Sequence, residues 1–324
     1  MSKRAQFLTK KPISEAAVAP QENHAVANSA GVTAEQVQLL GERGFLTLNA
    51  LTTAEEAREI RATLLELFDK KAGEKEGANL DFVAGDHPET PKTAPQILNP
   101  SNHSPKLRKT ACFKNAFKIS KQILGNEARC FFDLSILKVA AVGAATPWHQ
   151  DVASRDPRFE YTEISIWVPL QDVTAEGGCL RFIPGSHKLP VLQHHSMNDD
   201  PTAHAYECVG DFDDSSAVSC PLPAGGCTIH LPGTLHSAGP NLLATARVAY
   251  IMVFGLPPQP LKAPRSFPWI EQKNTRALEN KRRWMRRGGI FIAVWRRLRR
   301  GDLASWQTAM YGLKRVGRIL RRRE

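Results

Sequence analysis

The stretch RCFFDLSILKVAAVG, Arg129 to Gly143, decides the fold. Most of its apolar residues are aromatic or branched, and the helical spacing that marks the chain before it stops here. Four further runs of the same kind follow: EYTEISIWVPLQDV (160–173), GGCLRFIPGSH (177–187), GGCTIHLPG (225–233) and ARVAYIMVFGL (246–256). Pro and Gly punctuate them, as they punctuate strands joined by turns. Several short strands at such spacing predict a mainly β fold, a sandwich or barrel with helices packed outside it.

Upstream, the pattern is helical. Thr33 reads as the N-cap of AEQVQLLGERG, which Gly44 ends. GFLTLNAL (44–51) fits a short strand. TTAEEAREIRATLLELFDKK opens with a Thr cap and early glutamates, then places Ile60, Leu64, Leu65 and Leu67 at helical spacing. A polar, Gly- and Pro-rich stretch over 72–106 predicts a long loop, and KTACFKNAFKISKQILG (109–125) is again helical. The polar insert 190–219 predicts a loop over one rim of the β core. Residues 1–32, without hydrophobic period, predict a mobile tail. The expected organisation is a tail over 1–32, one catalytic domain over 33–260 and a basic helical extension over 261–324.

Charge follows the same division. The net charge is +11, but residues 281–324 hold 15 Lys and Arg against Asp302 and Glu324, a balance of +13. The rest carries 28 bases and 30 acids, so the body was not built around a polyanion groove and nucleic acid is not its expected partner. The extension repeats Leu303, Trp306, Met310, Leu313, Gly317 and Leu320 at helical steps, flanked by Lys314, Arg315, Arg318 and Arg321. A basic amphipathic helix of this kind suits an anionic membrane surface. A protein partner, RNA or a helix packed on the body with a solvated charged face are the other readings. No apolar run reaches the ~18 residues of a membrane span, and no apolar segment follows the basic N-terminus as in a secretory signal. The six cysteines form no CxxC pair, which points to a reducing compartment. The expected location is the cytoplasm, with peripheral attachment to the inner membrane face as an option.

PWHQDVAS (147–154) carries the chemistry. In an extended chain His149 and Asp151, at i and i+2, point to one side and form a chelating pair. A second histidine completes two nitrogens and one carboxylate on one face of an octahedron, leaving three positions open. His230 and His236, in CTIHLPGTLHSAGPN, are both candidates. Arg247 heads the next apolar strand and needs an anionic partner, since it stays charged; a small dicarboxylate would supply one.

With WHQD at 148–151, GGCLRFIPGSHK at 177–188, HSAGPN at 236–241 and AR at 246–247, the chain resembles the phytanoyl-CoA dioxygenase family. These are oxygenases dependent on Fe(II) and 2-oxoglutarate, and the likeness covers about residues 33–257. The resemblance implies a double-stranded β-helix. It implies that His149, Asp151 and His236 bind iron and that Arg247 holds the far carboxylate of 2-oxoglutarate. Trp167 matches a tryptophan beside the cosubstrate, and Lys138 is a candidate to touch 2-oxoglutarate or substrate, or else an edge-strand lysine. Where the family often has HGSG, with its serine on 2-oxoglutarate, this chain has HSAG. Ala238 cannot make that hydrogen bond, and Ser237 is the candidate replacement. Pro232 and Gly233 place a turn between the two histidines, so His230 is expected beside the metal or facing substrate. The implied reaction uses O2, releases succinate and CO2, and hydroxylates a small-molecule or lipid-linked substrate. The retained Asp151 argues against halogenation. A cupin-type metalloenzyme without 2-oxoglutarate, which has no need of Arg247, and a non-catalytic protein on the same fold are the alternatives.

Overall fold

The structure, a computed structural model, describes residues 31–84, 91–141 and 145–299. The tail expected over 1–32 therefore lies almost wholly outside the described residues, as does the helix expected after residue 300.

Fifteen strands succeed one another along the described chain. The first five are β1 (Phe45–Leu48), β2 (Asn79–Asp81), β3 (Pro95–Leu98), β4 (Arg129–Lys138) and β5 (Thr146–His149). Next come β6 (Phe159–Glu160), β7 (Glu163–Pro169), β8 (Leu180–Phe182), β9 (His194–Ser196) and β10 (Tyr206–Cys208). The last are β11 (Val218–Cys220), β12 (Cys227–His230), β13 (His236–Ala238), β14 (Arg247–Gly255) and β15 (Gln259–Pro260). The major sheet has the order β1-β12-β7-β14-β4-β3-β2, the minor sheet β11-β8-β13-β5, and every pairing is antiparallel. Two ribbons, β9–β10 and β6–β15, complete the fold.

Alternation along the central strands explains the layers. β7 and β14 are buried at every residue, so both faces of the major sheet are covered. Ile164, Ile166, Val168, Val248, Tyr250 and Met252 share a buried cluster with residues of three helices: α1 (Ala34–Arg43), α2 (Ala54–Asp69) and α3 (Ala111–Leu124). The alternate residues Trp167, Ala249, Ile251 and Val253 join Leu180 and Phe182 of the minor sheet in another cluster. Helices thus cover one face of the major sheet, and the minor sheet covers the other. This is the expected double-stranded β-helix with helices outside.

The helix caps fall where the sequence placed them. Thr33 and Gln36 form a reciprocal capping box, Thr53 and Thr110 accept from the third helical amide, and Gly44 closes α1 at φ 86°. Two expected loops are corrected. The stretch 72–106 contains β2 and β3, which extend the major sheet beyond β4, and the insert 190–219 contains β9, β10 and the minor-sheet strand β11. Strands of three or four residues show too little alternation to be read alone; pairing with a neighbour defines them.

The C-terminal part is helical, with α4 (Pro268–Glu271), α5 (Arg276–Trp284) and α6 (Ile290–Arg299). A break at Gly288, φ 89°, separates α5 from α6. Arg296 of α6 makes a two-pronged ion pair with Glu76, at 2.6 and 3.1 Å. Among the described residues no helix is long and apolar enough to cross a membrane.

Candidate metal centre

β5 and β13 are neighbours, and His149 stands directly opposite His236 in their register. Gln150 keeps the chain extended (φ −110°, ψ 128°), so Asp151 returns to the side of His149 before a short 3-10 turn begins. One ligand atom from each of His149, Asp151 and His236 then lies within 4.8 Å of the others. Asp151 Oδ1 is 3.8 Å from His149 Nε2 and 3.9 Å from His236 Nε2.

The surroundings settle which atoms face inward. His149 Nδ1 lies 2.8 Å from the Pro147 carbonyl and His236 Nδ1 lies 2.9 Å from that of Thr234. Each Nδ1–H donates to a carbonyl two residues back, which leaves both Nε2 lone pairs free and aimed at Asp151. Asp151 Oδ2 is engaged elsewhere: Ser165 Oγ donates to it at 2.7 Å and His230 Nε2 lies 3.3 Å away. Oδ1 is left for the centre. Two neutral imidazole nitrogens and one carboxylate oxygen are the donor set of a non-haem Fe(II) site, so the residues fit that metal.

Electrostatics agree. Burial is the main reason that the His149 and His236 pKa values fall, and the neighbouring histidines add to it for both. Burial alone would raise Asp151, but the His230 hydrogen bond and the charges of His236, His230 and Arg155 hold it well below its usual value. Neutral imidazoles and an ionised carboxylate are the protonation states a cation needs.

On the face between the sheets, Arg247 and Lys138 are direct cross-strand partners. Both are buried, with Lys138 fully inaccessible on a strand flanked by β14 and β3, not on an edge. Arg247 lies over the Trp167 ring at 5.3 Å and donates from one terminal nitrogen to the Gly178 carbonyl at 3.3 Å; its Nε has no partner. Lys138 Nζ donates to the carbonyls of Ala238 and Gly239, at 3.2 and 2.6 Å. Burial lowers Arg247 to about 10; burial and then Arg247 itself lower Lys138 to about 6. A buried guanidinium with an orphaned donor, beside a buried amine that an anion would charge, fits a small dianion such as 2-oxoglutarate.

Ser237 is placed differently from expectation. His236, Ser237 and Ala238 pair with Phe182, Arg181 and Leu180. Ala238 joins the cluster between the sheets with Phe182 and Leu180. Alternation therefore puts Ser237 on the opposite face, level with Arg181, and the expected contact to 2-oxoglutarate is not one this strand can make. His230 stands beside the triad as the carboxylate's neighbour. Ser165, one alternation step from Trp167 on the same face, was missed, although the period of two was there to be read. Ser186 of the GSHK turn accepts the Leu235 amide at 2.8 Å, holding the chain that enters β13.

Fold and site together define a 2-oxoglutarate-dependent non-haem iron oxygenase. Likeness to known proteins narrows this to a family: the model of phytanoyl-CoA dioxygenase (PhyH) matches residues 40–249, and the chain belongs to that family. A zebrafish (Danio rerio) phytanoyl-CoA dioxygenase domain-containing protein 1 is 23% identical over 262 residues, covering 68% of this chain and 88% of that protein. L-proline trans-4-hydroxylase of Streptomyces griseoviridis is 27% identical over 168 residues, covering 45% of this chain and 63% of that one. Among solved structures, EvdO2 from Micromonospora carbonacea var. aurantiaca, complexed with 2-oxoglutarate, is 32% identical with a TM-score of 0.64; 74% of this chain and 97% of that chain are covered. Iron, 2-oxoglutarate and O2 are thus the cofactor and cosubstrates of this enzyme's class.

Proposed function

We propose that the chain hydroxylates an unactivated C–H bond of a small molecule, with one oxygen of O2 going to the product and the other to succinate as 2-oxoglutarate loses CO2. The observation that carries this reading is the pairing of a three-ligand cluster with the buried basic pair Arg247 and Lys138. Iron and 2-oxoglutarate, when bound, supply the oxidising chemistry. The protein's own residues position and exclude. His149, Asp151 and His236 would hold the metal, their free atoms pre-aimed by Pro147, Thr234, Ser165 and His230. Arg247, which lies over the face of Trp167, would hold the far carboxylate of the cosubstrate, and Lys138 would add a second donor. The buried walls of β7 and β14 keep water from the reacting atoms, which limits turnover without substrate.

The test is spectroscopic. Full-length protein with Fe(II) and 2-oxoglutarate, kept anaerobic, is expected to develop a weak visible charge-transfer band. His149→Ala, Asp151→Ala and His236→Ala each abolish it, whereas His230→Ala keeps it with a weaker hold on iron. Loss of the band in His230→Ala with retention in His236→Ala overturns the assignment. Succinate release above the substrate-free background, read across pools of candidate metabolites, then finds the substrate.

We also infer that the basic extension docks the enzyme on an anionic membrane surface, bringing it to a lipid-linked substrate. The supporting observation is that Phe291, Val294 and Trp295 of α6 are exposed at helical spacing, while Arg283, Arg286 and Arg287 in the segment that precedes it are exposed as well.

A further inference from the structure

The family match ends at residue 249, yet the chain beyond it comes back to the metal loop. The amide of Leu261 donates to the Arg158 carbonyl and that of Arg265 to the Pro157 carbonyl, each at 2.9 Å, so this segment runs beside the strand leaving the metal loop. α4 then delivers Trp269, 5% exposed. Its indole N–H donates to the Ala153 carbonyl at 2.8 Å, two residues past Asp151. One side of the indole stacks on Phe267, with ring centres 4.9 Å apart, and the ring also meets His194 at 5.5 Å.

His194 comes from the insert and is buried. Its Nδ1 lies 2.8 Å from the Leu192 carbonyl, so its proton sits there and Nε2 accepts. What Nε2 accepts, at 3.1 Å, is the backbone N–H of Gln150, the residue between His149 and Asp151. The far end of the segment is anchored as well. Lys273 Nζ donates to the carbonyls of Ala203, His204 and Ala205, and the Asn274 amide donates to Pro201.

We propose that Trp269 and His194 form a clasp that positions the metal-binding loop by holding its backbone on either side of Asp151. A consequence is that the catalytic unit extends to about residue 275, past the boundary expected near 260. The physical reason is that the loop contributes two ligands separated by one residue, so a small twist at Gln150 moves one against the other. A buried N–H before Asp151 and a buried C=O after it each have one partner that fixes that twist. Both partners lie on segments remote in sequence, the insert and the C-terminal part. Groups that orient metal ligands change metal affinity by about 10- to 100-fold when removed.

The inference rests on the three-ligand reading, and one titration separates the two. Co(II) is added anaerobically to full-length metal-free protein, and its visible band reports both affinity and ligand geometry. Trp269→Phe keeps the stacking and loses the donor; His194→Phe keeps the ring and loses the acceptor. Each is expected to bind Co(II) about 10- to 100-fold more weakly, with a shifted band. Tyr250→Phe controls for lost stability, because it removes a buried hydrogen bond, Tyr250 to Asp133 at 2.8 Å, on the far face of the sheet. It is expected to melt lower and bind Co(II) normally. Lys273→Met, which frees only the far anchor, gives a smaller weakening and serves if the first two variants do not fold. Wild-type affinity and band in every soluble clasp variant overturn the clasp alone. A wild-type protein that binds no Co(II) overturns the metal reading and the clasp with it.

Discussion

Arg247 makes the strongest demand for a ligand of any single residue at the site. Its guanidinium is buried against Trp167 with Nε unpartnered, and no carboxylate of the described chain forms an ion pair with it. Removing one side of such a desolvated charge pair costs about 2–5 kcal/mol, so Arg247→Ala is expected to weaken 2-oxoglutarate by roughly 30-fold to several thousand-fold. Iron binding survives. A titration with 2-oxoglutarate reads this directly, and an unchanged requirement favours a cupin-type enzyme that makes no use of the cosubstrate. Lys138 adds a pH dependence. Burial, then Arg247, lower it to about 6, whereas in the unfolded chain it titrates near ~10. Between these values the unfolded state binds more protons, so this residue makes stability rise with pH through that window and its cost is greatest below 6. Lys138→Met is expected to flatten the curve of melting temperature against pH there. A dianion beside Lys138 favours its charged form, so 2-oxoglutarate binding near pH 8 takes up a proton. Binding heats that do not vary with the ionisation enthalpy of the buffer contradict that placement.

Elements meet at the turn before β8, where two adjacent glycines have unequal roles. Gly178 has φ +74°, and a Cβ there would lie 2.5 Å from the Gly239 carbonyl oxygen and 2.9 Å from that of Pro240. Both obstacles are backbone, and the Gly178 carbonyl is itself the acceptor for Arg247. Gly178→Ala is therefore expected to cost about 1–3 kcal/mol in stability and to weaken 2-oxoglutarate as well. Gly177 lacks the positive φ, and its nearest neighbour, at 3.2 Å, is a movable Leu243 methyl. Gly177→Ala is expected to change either property little. Thermal melting and a 2-oxoglutarate titration of the two variants, side by side, check the contrast. The same close approach joins the GGCLRF and HSAGPN motifs: Gly178 of the first, against Gly239 and Pro240 of the second, accepts from Arg247, and Ala238 and Gly239 of the second accept from Lys138.

At the scale of the molecule, charge is segregated. The body is close to neutral while residues 281–324 carry +13, and α6 adds Phe291 at 77% and Trp295 at 52% exposure. Near an anionic leaflet each Lys or Arg contributes about 1 kcal/mol, falling off within a Debye length of roughly 8 Å. Co-sedimentation with anionic vesicles at moderate salt is expected to pellet the full chain, with neutral vesicles pelleting less. Asp substitution of both Phe291 and Trp295 is expected to reduce binding to anionic vesicles. Equal, negligible pelleting of the full chain and the variant on anionic vesicles sinks membrane docking and leaves a helix packed against the protein or a protein partner.

Local patterns by themselves determined most of the fold class and singled out the three residues that the fold brings together. Thr caps, glycine stops and two periodicities are properties of consecutive residues, so α1 to α3 and the long strands β4, β7 and β14 could be read directly. The spacing of His149 to Asp151 and the motif around His236 are equally local, and so the candidate cluster was legible before any geometry was known. The tertiary structure decided what depends on partners. Strands β2, β3 and β11 are too short to carry a pattern and exist because a sheet edge pairs with them. Ser237 faces away from the cluster between the sheets because register, which only pairing sets, fixes the face of each residue. His194 and Trp269 hold the Gln150 amide and the Ala153 carbonyl from 44 and 116 positions away in sequence. No spacing rule reaches that far, because those hydrogen bonds are satisfied by chain folding and not by chain order.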